Sequence, residues 1–349
     1  MKKFISKTFI FLTPILILYM VFNIFYASNK GDLLRMGYLF DKKDYNSKKI
    51  FDKEYKNKYC FKNVSDLNLK RNNKFTVLVI GDSFSEQENF GYKNYLGSKK
   101  NISVVYLDNY FFNNPISTLY GLNNGNLLDS LDVDYIVLQC IERTFTFRGL
   151  NTDTSRVVNM DQLCTAPIKT NYTQKDRFKL FTNNLISFPL TNLQYLYDDN
   201  AYNGTVFKVK TTEELFSVNR NELLFYDQDL NSLMMNSDLN YVNGLNKHLN
   251  TLSKKMAARE IQLIVLPAPD KYDLYYEFIL PKNYPKPLFF DHLRGLKKDY
   301  LFLDAKEVLQ ADIPHTKDLY YYDDTHWTPN ASKLIANQLE LLIKRDKAN

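Results

Sequence analysis

The sequence predicts an α/β fold, a mostly parallel sheet wrapped by helices, carried behind one N-terminal transmembrane helix. Three observations lead there. Phe75–Ile80 is a short, almost wholly apolar and β-branched run, the composition of a strand buried on both faces of a parallel sheet. Similar runs alternate with helical patterns through the first half of the chain, giving strand, helix, strand, helix, strand. The uncharged apolar segment Phe9–Ala27 is long enough, as a helix, to cross the hydrocarbon core of about 30 Å.

Lys2, Lys3 and Lys7 precede that segment, which favours a cytoplasmic N-terminus and an exported body. A cleaved signal peptide is the competing reading. It wants small residues before the cut, and Phe25-Tyr26-Ala27 puts bulk there, so residues 1–28 read as an uncleaved anchor. Residues 29–73 are polar and lysine-rich, a juxtamembrane connector expected to pack partly on the domain. The remainder, 74–349, has the hydrophobic content to bury a substantial core: the chain of 349 residues is 45% hydrophobic and 15% aromatic.

Within the domain, the first strand ends at Gly81 and runs into a polar group, Asp82, Ser83, Ser85 and Glu86. Open α/β sheets place their chemistry at such carboxyl ends of strands. Phe90 to Leu96 suggests a helix or turn over the site, and Ile102–Leu107 a second strand. Asn114 can cap a helix with Pro115 in its first turn, running to about Leu131. Tyr135–Cys140 is a third strand, with Glu142-Arg143 directly at its end. Residues 149–209, rich in Asn, Thr and Asp without a clean period, read as an insertion or lid. Leu239, Val242, Leu245, Leu249, Leu252 and Met256 recur at helical spacing and mark core packing. Ile261–Leu266 is a fourth strand, followed by Pro269-Asp270-Lys271, and Tyr300–Leu303 a possible fifth.

The formal charge of +6 is spread along the chain, which argues against a nucleic-acid partner needing a clustered basic face. The three cysteines, Cys60, Cys140 and Cys164, lack metal-ligand spacing, and neither metal nor cofactor is expected. Cys140 reads as a buried thiol; pairing of Cys60 with Cys164 in an oxidising compartment stays open.

The second chemical signal is Tyr321-Tyr322-Asp323-Asp324-Thr325-His326-Trp327-Thr328-Pro329. Thr328 can cap the helix that follows, with Pro329 at its first position, so Asp324 and His326 sit on a loop held by a rigid element. A serine hydroxyl becomes a useful nucleophile when an imidazole takes its proton, and the imidazole works better when a carboxylate fixes its tautomer. Asp324 can supply that carboxylate; Asp323 is the alternative orienter. Of the four histidines, His248, His292 and His315 lack this setting. His326 alone has carboxylates just before it and the single tryptophan after it.

Gly81-Asp82-Ser83 after a first strand, with Asp324-Thr325-His326-Trp327 before a last helix, resembles the SGNH hydrolase superfamily, and more closely its alginate O-acetyltransferase (AlgJ/AlgX-like) branch. Phe90-Gly91, Glu142-Arg143 and Pro269-Asp270-Lys271 are similar to patterns of that branch. The resemblance covers about Phe75 to Leu342, with 149–209 matching poorly. It implies a flavodoxin-like three-layer domain and a membrane-tethered or exported enzyme that moves acetyl groups onto a cell-envelope polysaccharide. It also implies Ser83 as nucleophile, His326 as base and Asp324 as orienter, with a membrane partner delivering acetyl across the bilayer. The Gly-x-Asn-Asp block that supplies an oxyanion asparagine in ordinary SGNH esterases is not found. Candidate oxyanion or substrate contacts are the Ser83 N–H, groups between Phe84 and Tyr92 (Gly91 and Tyr92 among them), Trp327 and Arg143. Arg143 reads equally well as half of an ion pair, and Lys271 as a solvated loop lysine. A deacetylating esterase and an inactive polysaccharide-binding factor are the rival functions.

Overall fold

The computed structural model describes residues 1–26, 31–37, 39, 50–68, 73–109, 111, 113–168 and 190–348. Its strands are β1 (Phe61–Asn63), β2 (Asn73–Ile80), β3 (Val104–Tyr106), β4 (Leu131–Ile141), β5 (Val206–Thr211), β6 (Glu222–Tyr226), β7 (Gln262–Ala268), β8 (Ile279–Leu280) and β9 (Leu301–Phe302). Six of them form one sheet in the order β1-β3-β2-β4-β7-β9, every neighbouring pair parallel. Leaving β1 aside, this is the 2-1-3-4-5 order of a doubly wound flavodoxin-like sheet.

The period of two along the strands sorts side chains into two cores. Val77 and Val79 of β2 and Val137 of β4 face one core, into which the C-terminal helix Pro329–Ala348 sends Ile335 and Leu339. Leu78, Ile80, Ile136 and Leu138 face the other, closed by helices Pro115–Asn124 and Leu239–Ala257. Val242, Leu245, Leu249, Leu252 and Met256 are all buried there, as their spacing predicts, whereas Leu239 in the first turn is exposed. Sheet and flanking helices make a three-layer α/β domain.

The expected helix from Asn114 is shorter than the sequence suggested. Asn114 caps it, its side chain accepting from Ile116 N and Ser117 N, but it ends at Asn124. Gly125 follows, Asn126 turns left-handed (φ 57°), and a 3-10 turn at Leu127–Ser130 leads straight into β4 at Leu131. Gly125 is required by packing, since a Cβ there would lie 1.8 Å from the Val158 carbonyl oxygen.

The segment 29–73 is more than a connector. It supplies the edge strand β1, and helix Asp32–Met36 buries Leu33 and Leu34 in the core. The segment 149–209 contains helix Met160–Thr165, closed by a capping box between Asn159 and Gln162, and β5. β5 pairs antiparallel with β6 and β8, a second small sheet that the sequence reading missed and that carries the inserted structure past residue 209. Residues 169–189 of that expected insertion, and 27–30, 38, 40–49 and 69–72 of the expected anchor and connector, lie outside the described residues. All three cysteines are free thiols, Cys140 buried and Cys164 exposed.

The N-terminal helix Lys2–Tyr26 stands apart from both cores. Its Lys2–Val21 stretch has a mean hydropathy of 1.9 and none of it is buried, so by length and composition it can cross a membrane.

Candidate active site

β2 and β4 lie side by side, and the connections leaving their carboxyl ends go to opposite faces of the sheet. That switch point is where doubly wound sheets open a crevice. Here a pocket of about 310 Å³ opens, lined by Gly81, Asp82 and Ser83 after β2, Leu107 and Asn109 after β3, and Arg143 and Arg148 after β4.

The turn after β2 is built by Asp82. Its carboxylate caps the short helix Ser83–Glu86 through Phe84 N (3.2 Å), accepts from Ile141 N (2.7 Å) and is paired with Arg148 (3.0 Å). Burial opposes charge on Asp82, but Arg148 and these N–H donors outweigh it and hold the carboxyl below its ordinary value. Gln139 of β4 accepts from Asp82 N (3.2 Å) and from the Ser85 hydroxyl (2.8 Å). Ser85 and Phe84 point inward, which leaves Ser83 exposed at the mouth of the pocket.

The loop before the last helix meets it there. Ser83 Oγ lies 2.8 Å from His326 Nε2, and His326 Nδ1 lies 2.6 Å from Asp324 Oδ1. The same Asp324 oxygen accepts from the His326 backbone N–H at 3.0 Å, so one carboxylate fixes both ring and backbone. The imidazole rests against Phe84, ring centres 4.9 Å apart. Burial works against charge on His326, yet the Asp324 carboxylate raises it from 6.5 to about 9. Reciprocally, Asp324 stays well below the usual carboxylate range because, against burial, the imidazolium and the hydrogen bonds from His326 favour its charged form.

Two groups the sequence reading did not place here complete the loop's support. Asp32 accepts from Thr325 N (2.9 Å) and Thr325 Oγ1 (2.8 Å). Burial first, then the Asp324 charge, pushes Asp32 up to about 6. Lys271, expected in solvent, is buried, and its ammonium donates to the carbonyls of Tyr321 (2.7 Å), Tyr322 (2.7 Å) and Asp324 (3.3 Å). Burial pulls it down to about 7 despite the carboxylates nearby. The Pro269-Asp270-Lys271 pattern was the only sequence signal for it; nothing around Asp32 marked that residue.

Arg143 forms the ion pair that was one of the two readings offered for it. Its guanidinium pairs with Asp229 (3.1 Å) and Asp270 (2.8 Å), and it lines the Ser83 pocket. Gly91, Tyr92 and Trp327 are corrections, since none of them lines the pocket. Gly91 caps helix Tyr92–Gly97, where a Cβ would meet the Gln87 carbonyl oxygen at 2.7 Å. Tyr92 is fully buried, its hydroxyl 2.7 Å from Ser85 Oγ, so its helix packs behind the Ser83 turn rather than over it. Trp327 is buried edge-on to Phe84 and exchanges hydrogen bonds with Gln87, Nε1 donating at 3.2 Å and its carbonyl accepting at 2.8 Å. Asp323, the alternative orienter, points to Gly31 N (2.8 Å).

Among the described residues, Asp32, Asp324 and His326 bring possible metal-ligand atoms within 4.8 Å of one another. Within this group His326 Nδ1 is hydrogen-bonded to Asp324, and both Asp32 oxygens accept from Thr325.

Residues 220–349 match the family model described as the SGNH hydrolase-like domain of acetyltransferase AlgX. The match takes in Asp324, His326 and the last helix, and begins after Ser83. It supports an SGNH-like domain of the AlgX-like branch on the α/β architecture above. Comparison with curated proteins and with solved structures gave no match.

Proposed function

We propose that this SGNH-like, acetyltransferase-related protein is a single-pass O-acetyltransferase acting outside the cytoplasmic membrane on a cell-envelope or extracellular polysaccharide. The observation that carries the reading is the continuous hydrogen-bond line from Ser83 Oγ through the His326 ring to Asp324. In the first half-reaction His326 Nε2 takes the Ser83 proton while Oγ bonds to the acetyl carbonyl carbon. The bond to the donor's leaving group then breaks, and His326 returns the proton to it. In the second, a sugar hydroxyl gives its proton to His326 and attacks the acyl-serine. The ester forms on the sugar and Ser83 regains its hydrogen.

Asp324 holds the tautomer with Nδ1 protonated and stabilises the imidazolium between the two transfers. The Ser83 N–H and Arg143, fixed by Asp229 and Asp270 beside the pocket, are the donors we assign to the oxyanion. An enzyme outside the cytoplasm meets little soluble acetyl-CoA, so a multi-spanning membrane acyltransferase is the proposed source of acetyl groups. The lysines ahead of the N-terminal helix favour that orientation.

The test uses the full chain with a synthetic acetyl ester and an acetyl-free oligosaccharide. Ser83→Ala and His326→Ala are expected to abolish acetylated product. Wild-type yields from both would refute the assignment. Free acetate as the dominant product at saturating oligosaccharide would replace transfer by ester hydrolysis at the same serine.

A further inference from the structure

We propose that the segment Gly31–Leu33, which begins five residues after the last residue of the N-terminal helix, is a working part of the active site, with Asp32 as the positioning residue that sets the Asp324–His326 pair for reaction with Ser83. The inference rests on the acyl-transfer reading above and goes beyond it.

Three consecutive residues of this segment grip the two residues flanking Asp324. Gly31 N donates to Asp323 Oδ2 (2.8 Å) and Leu33 N to the Asp323 carbonyl (3.0 Å). Asp32 takes the N–H and hydroxyl of Thr325 on its two oxygens. The approach is too close for any side chain at residue 31: a Cβ on Gly31 would sit 2.1 Å from the Asp323 carbonyl oxygen. Lys271 holds the carbonyls of the same loop. The donors of Thr325 thus go to Asp32 and several of the loop's acceptors to Lys271, and the direction of the Asp324 carboxylate is set between them.

Anchoring alone does not explain a carboxylate here. Leu33 and Leu34 already bury the segment's apolar face, and burial disfavours charge on Asp32. What the charge adds is electrostatic. Its oxygen lies within 4.8 Å of the Asp324–His326 pair, where a negative charge stabilises the imidazolium that forms when His326 takes a proton. The other ionisable groups facing His326 and its loop are Asp323 and Asp324 on that loop, Lys271 and Arg143 from neighbouring elements, Asp229 behind them, and the Tyr55–Tyr321 hydroxyl pair.

The test is made on full-length protein in nanodiscs, reading acetyl-ester turnover against pH, with Ser83→Ala as the blank. Asp32→Asn keeps both bonds to Thr325, because that hydroxyl can turn round as acceptor, and removes only the charge. It is expected to lower the midpoint of the pH–rate profile by about one pH unit and the plateau rate about tenfold, with little change in melting temperature. Thr325→Val keeps the charge; it should lower the plateau and leave the midpoint in place. A profile for Asp32→Asn that superimposes on wild type, with Ser83→Ala inactive, overturns this inference and leaves the acyl-transfer reading standing. Absence of Ser83-dependent turnover in wild type overturns that reading instead. The His326 imidazole titration followed by NMR then decides separately whether Asp32 acts on it: a lower titration midpoint in Asp32→Asn supports the inference, and an unchanged one overturns it.

Discussion

Replacing Asp324 by asparagine isolates the charge behind His326, because the new side chain has the same shape and can still accept from the His326 backbone N–H. Asp324 Oδ1 lies 2.6 Å from the ring nitrogen, which puts the charge centres about 4 Å apart. At an effective dielectric of about 20 their attraction is about 4 kcal/mol. The rise of His326 from 6.5 to about 9 gives a figure of the same size, at about 1.4 kcal/mol per pH unit. Both side chains are about a quarter exposed (25% and 26%), so water screens part of this. A loss of about 2 to 4 kcal/mol, or roughly 30- to 1000-fold in turnover, remains. Were the amide to turn its NH₂ to His326 instead, it would favour the wrong tautomer and also lose the acceptor for the His326 backbone N–H, pushing the loss toward the upper end. The assay is acetyl-ester turnover from pH 5 to 10. Wild type should gain activity as the imidazole loses its proton near pH 9, and Asp324→Asn should show its midpoint back toward 6.5 on a much lower plateau. A variant within threefold of wild type with an unmoved midpoint would refute Asp324 as orienter.

Other outcomes follow from the same geometry. Lys271→Met, which fits the space but abandons three carbonyls, should lower stability by about 2 to 4 kcal/mol in chemical denaturation and reduce Ser83 labelling by a fluorophosphonate. Trp327→Phe should cost about 1 to 2 kcal/mol by taking a donor from buried Gln87, while Trp327→Ala should cost about 3 to 5 through the cavity beneath Phe84. Because the folded His326 sits above its ordinary value, its pairing with Asp324 stabilises the protein fully below pH 6.5 and is lost as pH rises through about 9. Melting temperature should therefore fall between pH 7 and pH 10 by more in wild type than in Asp324→Asn, measured by calorimetry.

The parallel sheet was legible because its central strands are buried on both faces, and such strands announce themselves as continuous apolar runs: Phe75–Ile80, Tyr135–Cys140 and Ile261–Leu266 each fall inside an observed strand or overlap it. The meeting of Ser83 with His326 was legible from chemistry, since a hydroxyl at a strand end and an imidazole beside a carboxylate complete one another. What was hidden depended on long-range contact. β1 is a three-residue edge strand with only mixed burial, too short to carry a period. β5 and β6 needed each other to be strands at all. Asp32 lies in a polar stretch that looks like any tether, and its meaning comes from Thr325 at the far end of the chain. Lys271 was misjudged because lysine usually seeks water; three converging carbonyls satisfy its ammonium instead. Tyr92 and Trp327 lay near the motifs, but proximity in sequence could not tell the open side of the turn from its apolar back.

The docking of Gly31 has a geometric corollary. The N-terminal helix extends to Tyr26, and five Cα–Cα steps separate Tyr26 from Gly31. Even a taut chain covers only about 19 Å over that interval. On the proposed function, with the helix in a bilayer, Ser83 would patrol a thin layer next to the lipid headgroups, within arm's length of an acetyl group emerging from the proposed membrane donor. A polymer strand would have to come down to that layer to be modified, so lengthening this leash with inserted glycines and serines should let acetylation reach farther from the membrane while loosening its coupling to the donor.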